Sequence, residues 1–71
     1  METLGKRIAR LRKAKDLSQA ELAAACGWEN GQARIGNYEL DKREPTLSNL
    51  RTIADALGTT LMQLVEGETD Q

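Results

Sequence analysis

Residues 18–45 of the chain, SQAELAAACGWENGQARIGNYELDKREP, decide its fold. Ser18 and Glu21 have the S-x-x-E spacing of a capping box, in which each side chain binds the other residue's backbone N–H at the start of a helix. A helix is therefore predicted from this point to about Cys26. Gly27 ends it, because glycine readily takes the left-handed conformation found at helix C-termini.

The residues after this first glycine predict a turn and a second helix. The glycine-containing stretch Trp28–Gly31 is typical of a turn, and Gln32–Leu40 fit a helix whose inward positions are Ile35 and Tyr38 or their neighbours. Two helices joined by a short turn form a helix-turn-helix. In proteins that bind DNA, the second helix of this motif lies in the major groove.

Another helix is predicted before the motif. Its apolar positions recur at helical spacing up to about Lys15, and they are Leu4, Ile8 and Leu11. Three of its basic residues are expected to be solvated charge unless the amino-terminal turn reaches a nucleic-acid backbone, and they are Lys6, Arg7 and Arg10. A turn at Asp16 and Leu17 then leads into the capping box.

Two further helices are predicted after the motif. Pro45 and Thr46 begin a fourth helix, which ends at Gly58. Its apolar stripe consists of Leu47, Leu50, Ile53, Ala54 and Leu57. Thr60 and Gln63 form a second capping box, which predicts a short fifth helix carrying Leu61, Leu64 and Val65. No segment alternates like a strand, so the expected fold is all-α, a compact bundle of five helices.

The size and composition of the chain argue against an enzyme. A chain of 71 residues forms one small domain that cannot enclose a large cavity, and we expect that domain over residues 1–67 with a polar tail at 68–71. The chain has no histidine, one cysteine and singly scattered acidic residues, so we expect no catalytic residue, metal, cofactor or small-molecule ligand. With no apolar run of membrane-spanning length, we expect a cytoplasmic protein.

The distribution of charge favours a nucleic-acid partner more than the total does. The net charge is −1, but nine of the ten basic residues lie within residues 1–45, together with seven acidic ones. Residues 46–71 hold one basic and four acidic residues. One end of the molecule could therefore face phosphate while the other stays acidic.

Several segments together resemble the lambda-repressor-like (Cro/CI, XRE-type) helix-turn-helix domains. They are LRKAKDLSQAELA at 11–23, the helix opened by Gln32, KREP at 42–45 and LRTIADALGTTLMQLVEG at 50–67. The likeness spans Leu4 to Glu66 and is nearest to phage and prophage repressors, with restriction-controller proteins second. It implies a Cro/CI-type transcriptional regulator that binds double-stranded DNA, with repression as the default role and activation as the alternative. It also implies a place in the bacterial or phage-infected cytoplasm, associated with the nucleoid.

The outward side of the third helix supplies candidate base-reading residues. Glutamine and asparagine amides can pair with adenine, an arginine can pair with guanine, and an alanine methyl can touch a thymine methyl. A glycine would let the helix approach the groove closely. These residues are Gln32, Ala33, Arg34, Gly36 and Asn37.

Other polar residues are candidates for binding the DNA phosphates. Helix N-termini favour anions, and exposed cations attract them. The candidates are Ser18, Gln19, Asn30, Lys42, Arg43, Thr46 and Arg12. The resemblance further implies that Gln19 braces Gln32 and that Arg12 pairs with Glu39, which we expect as a surface salt bridge worth under about 1 kcal/mol that aims the third helix.

The turn is longer than the family pattern, with four residues between Gly27 and Gln32 where two are common. Either the third helix begins earlier, with Asn30 as its N-cap and a phosphate contact, or a small loop projects. Trp28 is expected to pack partly into the core, and Cys26 to be a small core residue.

A single short helix reads too few base pairs for a unique site, so we expect a homodimer on a palindromic operator that is weak without DNA. Candidate interface residues are Leu61, Met62 and Val65 on the last helix. The alternative is an antitoxin or adaptor that binds a partner protein through the same apolar helix. Salt distinguishes the two, because only DNA binding weakens steeply with ionic strength.

Overall fold

The computed structural model of the chain describes residues 2–66, which form five helices. They are α1 (Leu4–Ala14), α2 (Gln19–Ala25), α3 (Gln32–Glu39), α4 (Leu47–Leu57) and α5 (Leu61–Glu66). No strand occurs in this described range, and the all-α prediction is confirmed. The predicted domain end at residue 67 and the tail at 68–71 lie outside the described residues.

The helix boundaries follow from local capping. The Ser18 hydroxyl accepts from the Glu21 N–H at 2.9 Å, and the Glu21 carboxylate accepts from the Ser18 N–H at 2.7 Å, which confirms the first capping box. Thr60 and Gln63 make the same reciprocal pair at the start of α5. Helix α4 ends at Gly58, whose φ of 69° is the left-handed conformation predicted for a helix-ending glycine.

Each of the five helices contributes one completely buried side chain to a single core. These side chains are Ile8, Leu22, Ile35, Ile53 and Leu64. One predicted core position is wrong, because Leu47 is 58% exposed. Leu47 is the first residue of α4, whose buried positions begin only at Leu50, so the first turn of α4 projects beyond the core.

Helices α1 and α3 pack closely at Gly5. A Cβ atom there would lie 2.3 Å from the Tyr38 carbonyl oxygen, so a residue with a side chain cannot occupy this position without moving a helix. Asp41, just after α3, accepts hydrogen bonds from the Gly5 N–H at 3.0 Å and from the Thr3 hydroxyl at 2.6 Å. The loop that follows α3 is thereby tied to the start of α1.

The expectation that Arg7 is merely solvated charge is wrong. Its Nη1 donates to the carbonyl oxygens of Leu64 and Val65 at 2.8 and 2.9 Å, which joins α1 to the C-terminal end of α5. Its Nε donates to Glu2 at 3.3 Å. The pKa of the Glu2 carboxyl is lowered from its ordinary value, chiefly by a hydrogen bond from Arg10.

None of the described helices is both long and apolar enough to cross a membrane.

Candidate nucleic-acid interface

The turn between α2 and α3 fixes where the third helix begins. Gly31 is the N-cap residue of α3, and Asn30 has a left-handed φ of 57°, whereas a capping side chain requires an extended backbone. The alternative in which Asn30 caps an earlier start is therefore wrong, and its predicted phosphate contact loses that basis. The four residues between Gly27 and Gln32 form a small loop, and Gln32 is the first residue of α3.

Trp28 and Cys26 both pack against the core, as predicted. The Trp28 ring lies edge-on to Tyr38, with centroids 6.3 Å apart and planes at 73°. The Cys26 Sγ lies 4.0 Å from the Thr52 carbonyl oxygen, and burial raises the pKa of the thiol. The cysteine is accordingly a packing residue with little thiolate character.

The predicted pair of Arg12 and Glu39 is present, but it is buried. Arg12 is 8% exposed, and its Nε and Nη2 donate to the two carboxylate oxygens at 2.6 and 3.1 Å. Its Nη1 donates to the Leu17 carbonyl oxygen at 2.8 Å. The expectation of a surface salt bridge is wrong, because α1 and α3 enclose the pair. This burial also argues against the direct phosphate contact predicted for Arg12.

Gln19 joins this pair and does not brace Gln32 as the resemblance implied. Its Nε2 donates to the Glu39 Oε1 at 2.9 Å. The amide lies across α3 at Gly36, where an added Cβ would be 3.6 Å from both amide heteroatoms. The Glu39 carboxylate is a stronger acceptor than the neutral amide of Gln32, which accounts for this choice of partner. One acidic side chain therefore anchors α3 to both α1 and α2.

The polar side of α3 remains open above this anchor. Gln32, Ala33 and Arg34 are exposed, while Gly36 and Asn37 are half-buried. Within residues 2–66, the side-chain amides of Gln32 and Asn37 make no hydrogen bond. All five predicted base-reading residues therefore keep access to solvent, and Arg34 and Asn37 line one cleft.

A polar cleft separates this surface from the start of α4. It is lined by Arg34, Asn37, Tyr38, Arg43, Glu44, Thr46 and Asn49. The Tyr38 hydroxyl accepts from the Asn49 side chain at 3.2 Å, which sets the start of α4 beside α3. Lys42 and Arg43 are exposed on the connecting loop, and Arg43 lines this cleft together with Arg34 and Asn37.

The sequence reasoning missed one contact within this surface. The Arg34 Cζ lies 4.5 Å from the centroid of the Trp28 ring, which places the cation over the ring face. The two residues are six apart and separated by a turn, so no helical spacing pointed to the pair. The unusual turn length and the lone tryptophan were the only signals.

Known proteins match this chain over most of its length. A family of helix-turn-helix domains, HTH_3, matches residues 8–64. The immunity repressor protein of Bacillus phage phi105 is 34% identical over 67 residues, covering 94% of this chain and 45% of the phage protein. The chain thus spans less than half the length of that repressor.

Two other proteins extend the comparison. The uncharacterized HTH-type transcriptional regulator y4dJ of Sinorhizobium fredii is 37% identical over 62 residues, which cover 87% of this chain and 78% of that protein. The crystal structure of the P22 c2 repressor protein in complex with a synthetic operator superimposes with a TM-score of 0.85 at 28% identity. That match covers 96% of this chain and all of the repressor chain.

Proposed function

Because this chain belongs to the lambda-repressor-like helix-turn-helix family, we propose that it is a sequence-specific, double-stranded DNA-binding transcriptional repressor. It binds an inverted-repeat operator as a homodimer and places α3 in the major groove. Bound over a promoter, the dimer blocks RNA polymerase.

The observation that carries this proposal is the solvent-exposed polar side of α3, together with the buried Arg12 and Glu39 pair that holds this helix in place. A helix that only completed a bundle would need neither a bidentate ion pair beneath it nor free amides above it. Gln32 and Asn37 can each pair with the N6 and N7 of adenine, and Ala33 can contact a thymine methyl. The buried Arg12 and Glu39 pair keeps these groups in a fixed direction.

The phosphate contacts in this proposal come from both sides of α3. Lys42 and Arg43 supply exposed charge on the loop after α3, and Thr46 caps α4 beside them. On the other side, Ser18 and Gln19 lie at the amino end of α2. The hydroxyls of Ser18 and Thr46 accept hydrogen bonds within their caps, so their hydroxyl protons are left to donate to phosphate oxygens.

The dimer in this proposal forms through α5. Met62 is 67% exposed and Val65 is 43% exposed, while Leu61 packs partly against the core. We assign most of the interface to Met62 and Val65. Because this area is small, the dimer forms mainly on DNA, with half-site centres about 34 to 36 Å apart.

The test is the salt dependence of binding to a fluorescein-labelled duplex pool, followed by fluorescence anisotropy. The logarithm of affinity falls with the logarithm of salt concentration by about 0.9 for each phosphate neutralised. Lys42→Ala should reduce that slope by about one unit. Arg51→Ala is the matched control, since Arg51 is an exposed cation on α4 outside the assigned surface.

A salt-independent result would contradict the proposal. In that case the exposed apolar residues of α5 would favour the alternative, an antitoxin or adaptor that binds a partner protein. A slope reduced equally by both substitutions would show that charge in general, and not the loop after α3, governs binding.

A further inference from the structure

We propose that Trp28 is a positioning residue that holds Arg34 in the orientation in which it reads a base pair. The inference rests on the proposed function, since it assigns part of the DNA sequence preference to a residue that need not touch DNA. The turn between α2 and α3 would then contribute directly to specificity.

The first support is the contact itself. The Arg34 Cζ lies 4.5 Å from the Trp28 ring centroid, inside the distance at which a cation is attracted to an aromatic face. Arg34 is otherwise exposed, and a long exposed side chain samples many rotamers. The ring removes part of that freedom before any DNA arrives.

The second support is that the ring is itself fixed. Trp28 packs edge-on against Tyr38, whose ring is buried and whose hydroxyl binds Asn49 of α4. Gly31 packs against the base of the Trp28 side chain, because a Cβ at that position would be 2.8 Å from the Trp28 Cβ. A continuous row of contacts therefore runs from α4 through two aromatic rings to the Arg34 guanidinium.

The third support is the backbone of the turn. The Trp28 N–H donates to the Ala23 carbonyl at 2.9 Å, and the Trp28 carbonyl accepts from the Gly31 N–H at 3.1 Å. Asn30 takes the left-handed conformation that closes the loop. The four-residue turn is what places an aromatic ring beside the edge of α3 that carries Arg34.

The chemistry of the guanidinium makes this arrangement useful. A planar guanidinium stacked on a ring keeps its N–H donors at the edge, where they can bind the O6 and N7 of guanine together. Because part of the conformational entropy of the Arg34 side chain is already lost on folding, a smaller entropic cost opposes DNA binding. In this arrangement Arg34 prefers guanine, and Trp28 increases the size of that preference.

The experiment compares Trp28→Leu and Trp28→Phe in binding selections from a randomised DNA duplex library. Trp28→Leu should lower the preference at one G·C pair about 3- to 10-fold, the cost of re-ordering one long side chain. Trp28→Phe keeps an aromatic face and should retain most of it. Arg34→Gln should lose the same preference, and adding Trp28→Leu to Arg34→Gln should cause no further change at that position.

The controls separate positioning from loss of stability. Ile53→Val removes a buried methylene from the core side of α4, whereas Arg34 is an exposed residue of α3, so the preference should stay unchanged. Fluorescence of Trp28, the chain's single tryptophan, should change in the DNA-free protein when Arg34 becomes Gln. All binding is measured where circular dichroism shows each variant folded.

Several results would overturn the inference. An equal loss at every base position, or no loss, in Trp28→Leu would remove its positioning role, as would additive effects of the two substitutions. If the wild-type protein selects no sequence, the proposed function fails and this inference fails with it. Selective wild-type binding with an unchanged Trp28→Leu preference overturns this inference alone.

Discussion

The carboxylate of Glu39 is a principal determinant of the orientation of α3. It accepts two hydrogen bonds from Arg12 and one from Gln19, so it links α3 to both preceding helices. Buried ion pairs gain little net stability over apolar residues, because both charges lose their hydration. Their geometry is strict, however, so this pair specifies direction more than it adds stability.

A buried pair of this kind predicts unequal effects of single and double substitutions. Glu39→Gln leaves the Arg12 cation without its counter-charge and should lower the free energy of unfolding by about 3 to 5 kcal/mol in urea denaturation. Arg12→Met combined with Glu39→Met should recover much of that loss. The double variant should still bind DNA with weaker sequence preference, because α3 is no longer aimed.

The matched control for this prediction is Glu2→Gln, which breaks the exposed contacts of Glu2 with Arg7 and Arg10. It should change stability much less than Glu39→Gln. Equal effects of the two substitutions would contradict the buried role of Glu39.

The first residue of α3 gives a second prediction at this scale. Gln32→Ala should abolish the preference at one base pair and leave non-specific affinity nearly unchanged, since a bidentate contact discriminates by about 1 to 3 kcal/mol. Competition between specific and mismatched duplexes measures it. Asn30→Gly is the control, because it removes a polar side chain from the preceding turn and keeps its left-handed backbone. A uniform loss across all duplexes would assign Gln32 to phosphate contact.

At the scale of helices, the sequence predicted the features that depend on neighbouring residues and missed those that depend on how helices pack together. The capping boxes at Ser18 and Thr60 and the glycine stop at Gly58 were predictable, because each depends on residues three or four apart. The partner of Gln19 was not. Which acceptor an amide reaches depends on how two helices cross, and spacing along the chain does not encode that crossing.

The other differences between prediction and structure also come from how the helices pack. The burial of Arg12 depends on how closely α1 approaches α3, and the exposure of Leu47 depends on where the core ends along α4. Periodicity identifies the apolar stripe of a helix but not how far its partners extend along it. The register of α3 was undecided in the sequence because a longer turn can be absorbed either by the helix or by a loop.

Two glycines on neighbouring helices predict opposite stability changes. Gly5→Ala would place a methyl 2.3 Å from the Tyr38 carbonyl oxygen and should destabilise the fold by about 1 to 3 kcal/mol through overpacking. Gly36→Ala meets only the Gln19 amide at ordinary contact distance and should stabilise by about 0.5 to 1 kcal/mol, since alanine favours the helix. Chemical denaturation measures both variants. Unchanged or increased stability of Gly5→Ala would contradict the close packing of α1 and α3, and destabilisation by Gly36→Ala would contradict the room for a methyl at that position.

For the whole molecule, the five helices place two different surfaces at different elements. The outward side of α3 and the loop after it carry polar and basic groups, while α5 carries exposed Met62 and Val65. The proposed function therefore assigns DNA binding to the first surface and contact with a second copy to the other. The net charge of −1 hides this arrangement, because it averages over both.

Met62→Gln should separate these two functions. It removes an exposed apolar side chain from the proposed interface, so binding to an inverted repeat should lose its cooperativity while affinity for a single half-site is retained. Leu40→Gln is the matched control, because Leu40 is equally exposed, at 66%, and lies at the end of α3. Analytical ultracentrifugation with duplexes of one and two half-sites measures both. Unchanged cooperativity in Met62→Gln would remove α5 from the interface.

The most direct test of a dimeric, sequence-specific repressor is selection of bound duplexes from a randomised DNA library at moderate salt, with sequencing of the enriched pool. We predict an inverted repeat whose half-sites lie one helical turn apart, about 34 to 36 Å between centres. A folded protein that enriches no sequence would contradict the account and favour binding to a partner protein.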